Sequence, residues 1–237
     1  MKKYIKRNEP NANAYIDGNA EGFAMIRLIL LIFVVFMTNA SADTSGSTTE
    51  VFNFKVSLND REVGWHKFVV EDNGEQLTVK SDASMDFTVL LVKKIEYRHQ
   101  ANEIWQKDCM IEFQSSTQRN GKRVAVSGKV VDGKFLVRRE DVDTSLGVCV
   151  KSFPYWRPDW LESDFLLNVE TGKYTPISLQ SNTDPVTQMT YKTIELPKTQ
   201  IRLEYDKAGD WQILESDINI VGTLRYERVP GPMEVQL

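Results

Sequence analysis

Hydrophobic and polar residues alternate along most of the chain from Phe52 onward. Phe52, Phe54, Val56 and Leu58 are interleaved with Asn53, Lys55 and Ser57. That period of two puts the apolar set on one face of a half-buried strand. The pattern recurs over 64–71, 76–82, 83–91, 95–105, 109–117, 124–130 and 135–139. It returns over 174–179, 187–196, 200–205, 211–220 and 223–229. Asn73-Gly74, Asn120-Gly121 and Asp132-Gly133 separate neighbouring runs, and such pairs favour tight hairpins. Residues 141–146 are polar and read as a connection. The spacing predicts an all-β domain of roughly twelve strands, an antiparallel meander closed or strongly curved into a barrel-like sheet. A long flat meander would leave its edges open, which favours curvature.

Residues 152–171 interrupt this rhythm. Pro154 and Pro158 remove two backbone donors and push Phe153 and Arg157 toward extended conformations. Pro158 suits a helix first turn, so one short helix is expected over 159–165, with Leu161 and Phe165 facing the sheet. Trp156 and Trp160 would then lie at the rim, either as a plug that fills one end of the sheet or as a lid over a cavity.

The beginning of the chain carries a different signal. Arg27 precedes the apolar run LILLIFVVFM at 28–37, and Ala40-Ser41-Ala42 follows shortly after. A basic residue, an apolar stretch shorter than the ~20 residues of a membrane span and an A-x-A motif together make a signal peptide cleaved after Ala42. The polar 24 residues before Met25 suggest Met25 as the true start of translation. The expected organisation is an extension and signal peptide at 1–42, a polar linker at 43–50, one β-domain at 51–229 and a tail at 230–237. The exported chain would be periplasmic or secreted, with no transmembrane span after cleavage.

Composition narrows the function. The chain has 237 residues and a net charge of −4, and removal of 1–42 makes it −6. This balance gives no reason to bind nucleic acid or an anionic membrane. Cys109 and Cys149 are the two cysteines, and an even pair in an oxidising compartment points to a disulfide. Neither has a CxxC partner or a histidine close in sequence, so no metal site or cofactor is implied.

The chain holds two histidines. Period two turns His66 toward the face of Phe68 and Val70, and His99 toward that of Tyr97 and Ala101. Inward imidazoles are either hydrogen-bonded core residues or polar anchors in a cavity, the second with Tyr97 or Glu103 as neighbours. No nucleophile elbow, phosphate loop or zinc-protease motif is present, so no catalytic residue is named. The candidate binding residues are His66, Tyr97, His99, Trp156 and Trp160. The ligand would be an apolar or amphipathic small molecule or lipid, in a binding or envelope-assembly role. A module docking protein partners through a sheet edge or the Trp156–Trp160 segment is the alternative, and a hydrolase ranks behind both.

Several stretches resemble a bacterial family of secreted proteins known only as a domain of unknown function. They are Gly64-Trp65-His66, 103–109, 153–156, Leu166-Leu167-Asn168 with Thr171-Gly172, and 211–216. The resemblance covers most of 51–229. It implies an all-β envelope protein and supplies no activity. Arg157 departs from it, standing where a smaller polar residue is expected.

Overall fold

The computed structural model describes residues 46–89, 93–218 and 221–231. The expected signal peptide, the cleavage position at Ala42, the start at Met25 and the tail beyond Gly231 lie outside the described residues. No helix among the described residues is long and apolar enough to cross a membrane.

Fifteen strands are described. The first eight are β1 (Thr48–Leu58), β2 (Arg61–Asp72), β3 (Leu77–Val89), β4 (Lys93–Gln106), β5 (Cys109–Arg119), β6 (Lys122–Val131), β7 (Lys134–Arg139) and β8 (Val142–Leu146). A hairpin of β9 (Phe165–Asn168) and β10 (Lys173–Pro176) follows. The last five are β11 (Ser178–Thr183), β12 (Thr190–Glu195), β13 (Gln200–Tyr205), β14 (Trp211–Ile218) and β15 (Gly222–Val229). Thirteen of them form one antiparallel sheet in the order β11-β12-β13-β14-β15-β1-β2-β3-β4-β5-β6-β7-β8.

The ends of the domain thus meet in the middle of the sheet, where β1 pairs with both β2 and β15. The chain meanders outward to the edge at β8, crosses to the opposite edge at β11, and meanders back. The turns follow from the residues that make them. Asn59-Asp60, Asn120-Gly121 and Asp132-Gly133 have positive φ at both positions, the two-residue geometry whose twist matches antiparallel strands. Asn73-Gly74 instead forms a longer loop, in which the Asn73 side chain accepts from the amides of Glu75 and Gln76. Gly64 lies where β1 and β2 shift register. At φ +152 its hydrogen faces the Ser84 carbonyl, and a Cβ there would stand 2.0 Å from that oxygen. Only glycine fits this position.

The strand count exceeds the expected twelve for physical reasons. Residues 141–146, expected as a connection, form the edge strand β8. Its residues are mostly exposed, so no apolar period marks it. One merger works the other way: the runs 76–82 and 83–91, read as two strands, are continuous as β3 through Val89, beyond which the run lies outside the described residues. The run 174–179 is broken at Ile177 into β10 and β11. β1 begins at Thr48, inside the expected linker.

The expected helix over 159–165 is a single 3₁₀ turn, Pro158–Leu161. Glu162 leaves it in an extended conformation, and Phe165 opens β9, largely exposed rather than facing the sheet. Leu161 alone is buried as expected.

The edge strands β8 and β11 do not pair with each other among the described residues. The crossing segment 147–177 closes the structure instead. Val150 bridges Met110 on β5, and Leu167 donates its amide to the Lys151 carbonyl. Ser115 Oγ donates to the Val169 carbonyl at 2.6 Å, and Arg139 to that of Thr171. On the other flank, Tyr205 Oη donates to the Tyr155 carbonyl and Lys192 Nζ to that of Pro158. Arg157, the residue that departs from the family pattern, forks onto both carboxylate oxygens of Glu50 at 3.0 and 3.3 Å. One core therefore unites Phe135 and Val137 of β7 with Ile194 and Leu203 of β12 and β13, through Leu161, Leu166 and Leu167 of the insert. Cys109 and Cys149 are disulfide-bonded, with Cα atoms 5.0 Å apart. The bond anchors the start of the insert to β5.

Candidate functional site

The curved sheet and its insert line a half-open cavity of about 210 Å³. β2 contributes His66 and Phe68, β3 Ser81, and β4 Tyr97, His99, Ala101 and Glu103. The insert supplies Ser152, Tyr155, Trp156 and Glu170, while Trp211 and Tyr226 close the far side. Inward alternation positions the strand residues, and the two prolines position the insert residues by holding that stretch off the ladder.

The histidines are held differently. His66 Nε2 lies 2.7 Å from Ser81 Oγ, and the ring stacks on Phe68 with centroids 4.1 Å apart. Its Nδ1 is buried and has no hydrogen-bond partner. Burial, reinforced by His99, lowers the His66 pKa to about 3, so the ring is neutral. His99 Nδ1 lies 2.8 Å from Thr117 Oγ1. Burial lowers its pKa too, against smaller opposing effects of Glu170 and Asp82.

Glu103 is the buried carboxyl of this cavity. Its Oε2 accepts from Ser152 Oγ at 2.7 Å and from Trp105 Nε1 at 3.0 Å. Burial nevertheless outweighs these bonds and raises its pKa from 4.5 to about 7. The consequence for stability has a definite sign. Below pH 4.5 native and unfolded chains both hold the proton. Between 4.5 and 7 the unfolded chain releases it first, so the native state loses stability as pH rises, by on the order of 3 kcal/mol in all. Glu103→Gln keeps an acceptor for both donors and removes the titration. The variant is expected to match the parent near pH 4 and to exceed it by roughly 2–3 kcal/mol at pH 8. Urea unfolding at the two pH values measures this, and an equal effect at both would refute the assignment.

A second cavity, of about 430 Å³, adjoins the first and shares Tyr97, Glu170, Leu224 and Tyr226 with it. Its other walls are mainly apolar: Met85, Phe87, Ile95, Ile218 and Val221, with Arg119 as its cation. Glu170 stands at the partition. It accepts from Tyr97 Oη at 3.2 Å and pairs with Arg119 at 3.3 Å, while the guanidinium lies 5.5 Å from the Tyr97 ring centroid.

Four of the five candidates, His66, Tyr97, His99 and Trp156, line the inner cavity. Trp160 does not. It stacks on Trp105 at 5.4 Å, behind the wall. Trp156 is 4% exposed and meets the Trp105 edge at 6.1 Å. The Pro/Trp segment is therefore a packed plug that also forms one cavity wall, not a rim lid. Ser81 and Tyr226 went unnamed in the sequence although each holds an inward register, beside Val79 and Leu224. Ser152 and Glu170 carry no periodic signal, because the insert that presents them is irregular.

A sheet strongly curved around a plugged lumen makes this a β-barrel-like protein. The same architecture occurs in a crystal structure of a beta-barrel-like protein of domain of unknown function DUF1849 from Brucella abortus. The two superpose with a TM-score of 0.54 at 12% identity, over 78% of this chain and 96% of the other. The chain itself belongs to the family described as domain of unknown function DUF6134, whose model matches residues 54–229. A search of curated proteins found none that matches.

Proposed function

We propose that the protein is an exported binding protein whose lumen holds an amphipathic small molecule or lipid. The observation that carries this reading is the pairing of an inner chamber that holds several polar side chains with an adjoining, mainly apolar outer chamber. Ligand sites are usually concave and mainly apolar, with a few converging polar groups, and the two chambers taken together fall within their range of ~300–1,000 Å³. The stretch 27–42 supports export, and the disulfide suits an oxidising compartment.

Native mass spectrometry of protein purified without detergent is the test. A discrete adduct of a few hundred daltons is expected, displaced by added amphiphile. Adduct-free protein that also binds no amphiphile would end the proposal.

The docking alternative is narrowed to the sheet edges, since Trp156 and Trp160 pack inward. β8 ends the sheet, and Val142 within it and Val148 beyond it are 64% and 71% exposed. Ser at both positions would abolish protein-partner capture under that reading and leave amphiphile binding unchanged under ours. A hydrolase is disfavoured by the same geometry. His66 reaches Ser81, but it is a weak base with no carboxylate on Nδ1 to orient it.

A further inference from the structure

Glu103 is a buried carboxyl without a cation. It is 5% exposed and lines the inner chamber from β4. Ser152 Oγ and Trp105 Nε1 both donate to its Oε2, and no donor among the described residues reaches Oε1. The unpartnered polar atoms sealed from solvent are Asn53 Oδ1, His66 Nδ1 and Trp156 Nε1. Glu103 Oε1 is not one of them, so it keeps accessible surface in the chamber that the residue lines.

Buried carboxylates are ordinarily paired with a cation. No Lys or Arg lines this chamber. Lys151, next in sequence to Ser152, turns instead to Asp108 at 2.9 Å. Arg119 pairs with Glu170. The two histidines add no charge at pH 8, because burial lowers the pKa of both, that of His66 to about 3. The rest of the wall favours a ligand of the same sign. Phe68, Tyr97, Tyr155, Trp156, Trp211 and Tyr226 contribute rings to it, and aromatic faces attract cations. An anion would enter beside the Glu103 carboxyl with no counter-ion.

We infer that the inner chamber is a site for a primary ammonium group, which donates to Glu103 Oε1 and lies among the aromatic rings of the wall. This deepens the lumen reading by naming the head group, and rests on it. A primary ammonium brings both the N–H donors that Oε1 lacks and the positive charge that the chamber lacks, whereas a quaternary one brings only the charge. A free alkylamine and an ethanolamine lipid both carry the group. The lipid adds a phosphate for which the chamber has no cation, so the free amine is the expected occupant.

Isothermal titration at pH 8, where Glu103 is mostly ionised, tests it with hexylamine, hexanol, hexanoate and dihexanoyl phosphatidylethanolamine. Hexylamine is expected to bind at least about tenfold more tightly than hexanol, with hexanoate weakest. In Glu103→Gln, a variant expected to be at least as stable as the parent, the advantage of amine over alcohol should shrink to about twofold or less. The lipid is expected to bind more weakly than hexylamine; binding as tight as the amine's would assign the same ammonium chemistry to a lipid head. Hexanol binding as tightly as hexylamine, or an amine advantage that survives in Glu103→Gln, overturns the inference and leaves the lumen reading intact. Binding of no hexyl probe also overturns it, and the lumen reading falls with it only if dodecanol fails to bind as well.

Discussion

Replacing Cys109 and Cys149 with serine is expected to lower the unfolding free energy by about 4 kcal/mol. The disulfide spans 40 residues, and closing a loop of that length removes about this much conformational freedom from the unfolded chain. Its position adds a consequence. The bond lies beside the Met110–Val150 bridge, where the insert first touches the sheet. β8 and β11 do not pair among the described residues, and the insert packs between the two halves of the meander. For a domain of this size the melting temperature should fall by about 10 °C. Calorimetry of the double variant, and of the unaltered protein under reducing conditions, should show the same fall. A loss below 1 kcal/mol would mean that the crossing segment is held by packing alone.

Trp105→Ala is expected to cost about 3–5 kcal/mol, the range for removing a large buried aromatic. Trp105 is fully buried. It packs against both Trp156 and Trp160, so its loss leaves a void directly beneath the plug. It also removes one of the two hydrogen bonds to Glu103. Trp105→Phe separates these effects. It retains most of the volume, should cost about 1–2 kcal/mol, and should push the Glu103 pKa higher, because that bond favours the ionised form. Urea unfolding from pH 4 to 8 would show this as a loss of stability extending further toward alkaline pH. An Ala variant within 1 kcal/mol of the parent would contradict the packing described.

The amino-acid sequence announces the fold through features that repeat. His66, Phe68 and Val70 alternate inward as the period of two requires, and Asn120-Gly121 and Asp132-Gly133 turn where their backbone freedom allows. It is silent where structure depends on distant partners. β8 is an edge strand held by β7 on one side only, so its polar residues leave no hydrophobic trace. The sequence 159–165 has helix-compatible spacing, yet β9 pairs with β10 from Phe165 onward and cuts the helix to one turn. The two histidines and Trp156 stood out as inward or aromatic anomalies. Trp160 stood out equally and packs behind the wall, because sequence alone does not tell which side of Trp105 an aromatic occupies. Glu170 reaches the chamber partition from a tight turn between β9 and β10, a placement no local pattern encodes.

The most direct measurement is a ¹H–¹⁵N correlation spectrum of the five tryptophan indoles during titration with dodecanol. The indole signals of Trp156 and Trp211, whose rings line the inner chamber, should move as it fills, while that of Trp105, behind the wall and bonded to Glu103, should stay nearer its position. A Trp156 signal that remains fixed at saturating dodecanol, with shifts confined to Trp65 or Trp160, would place the amphiphile outside the lumen and contradict the binding role proposed for it.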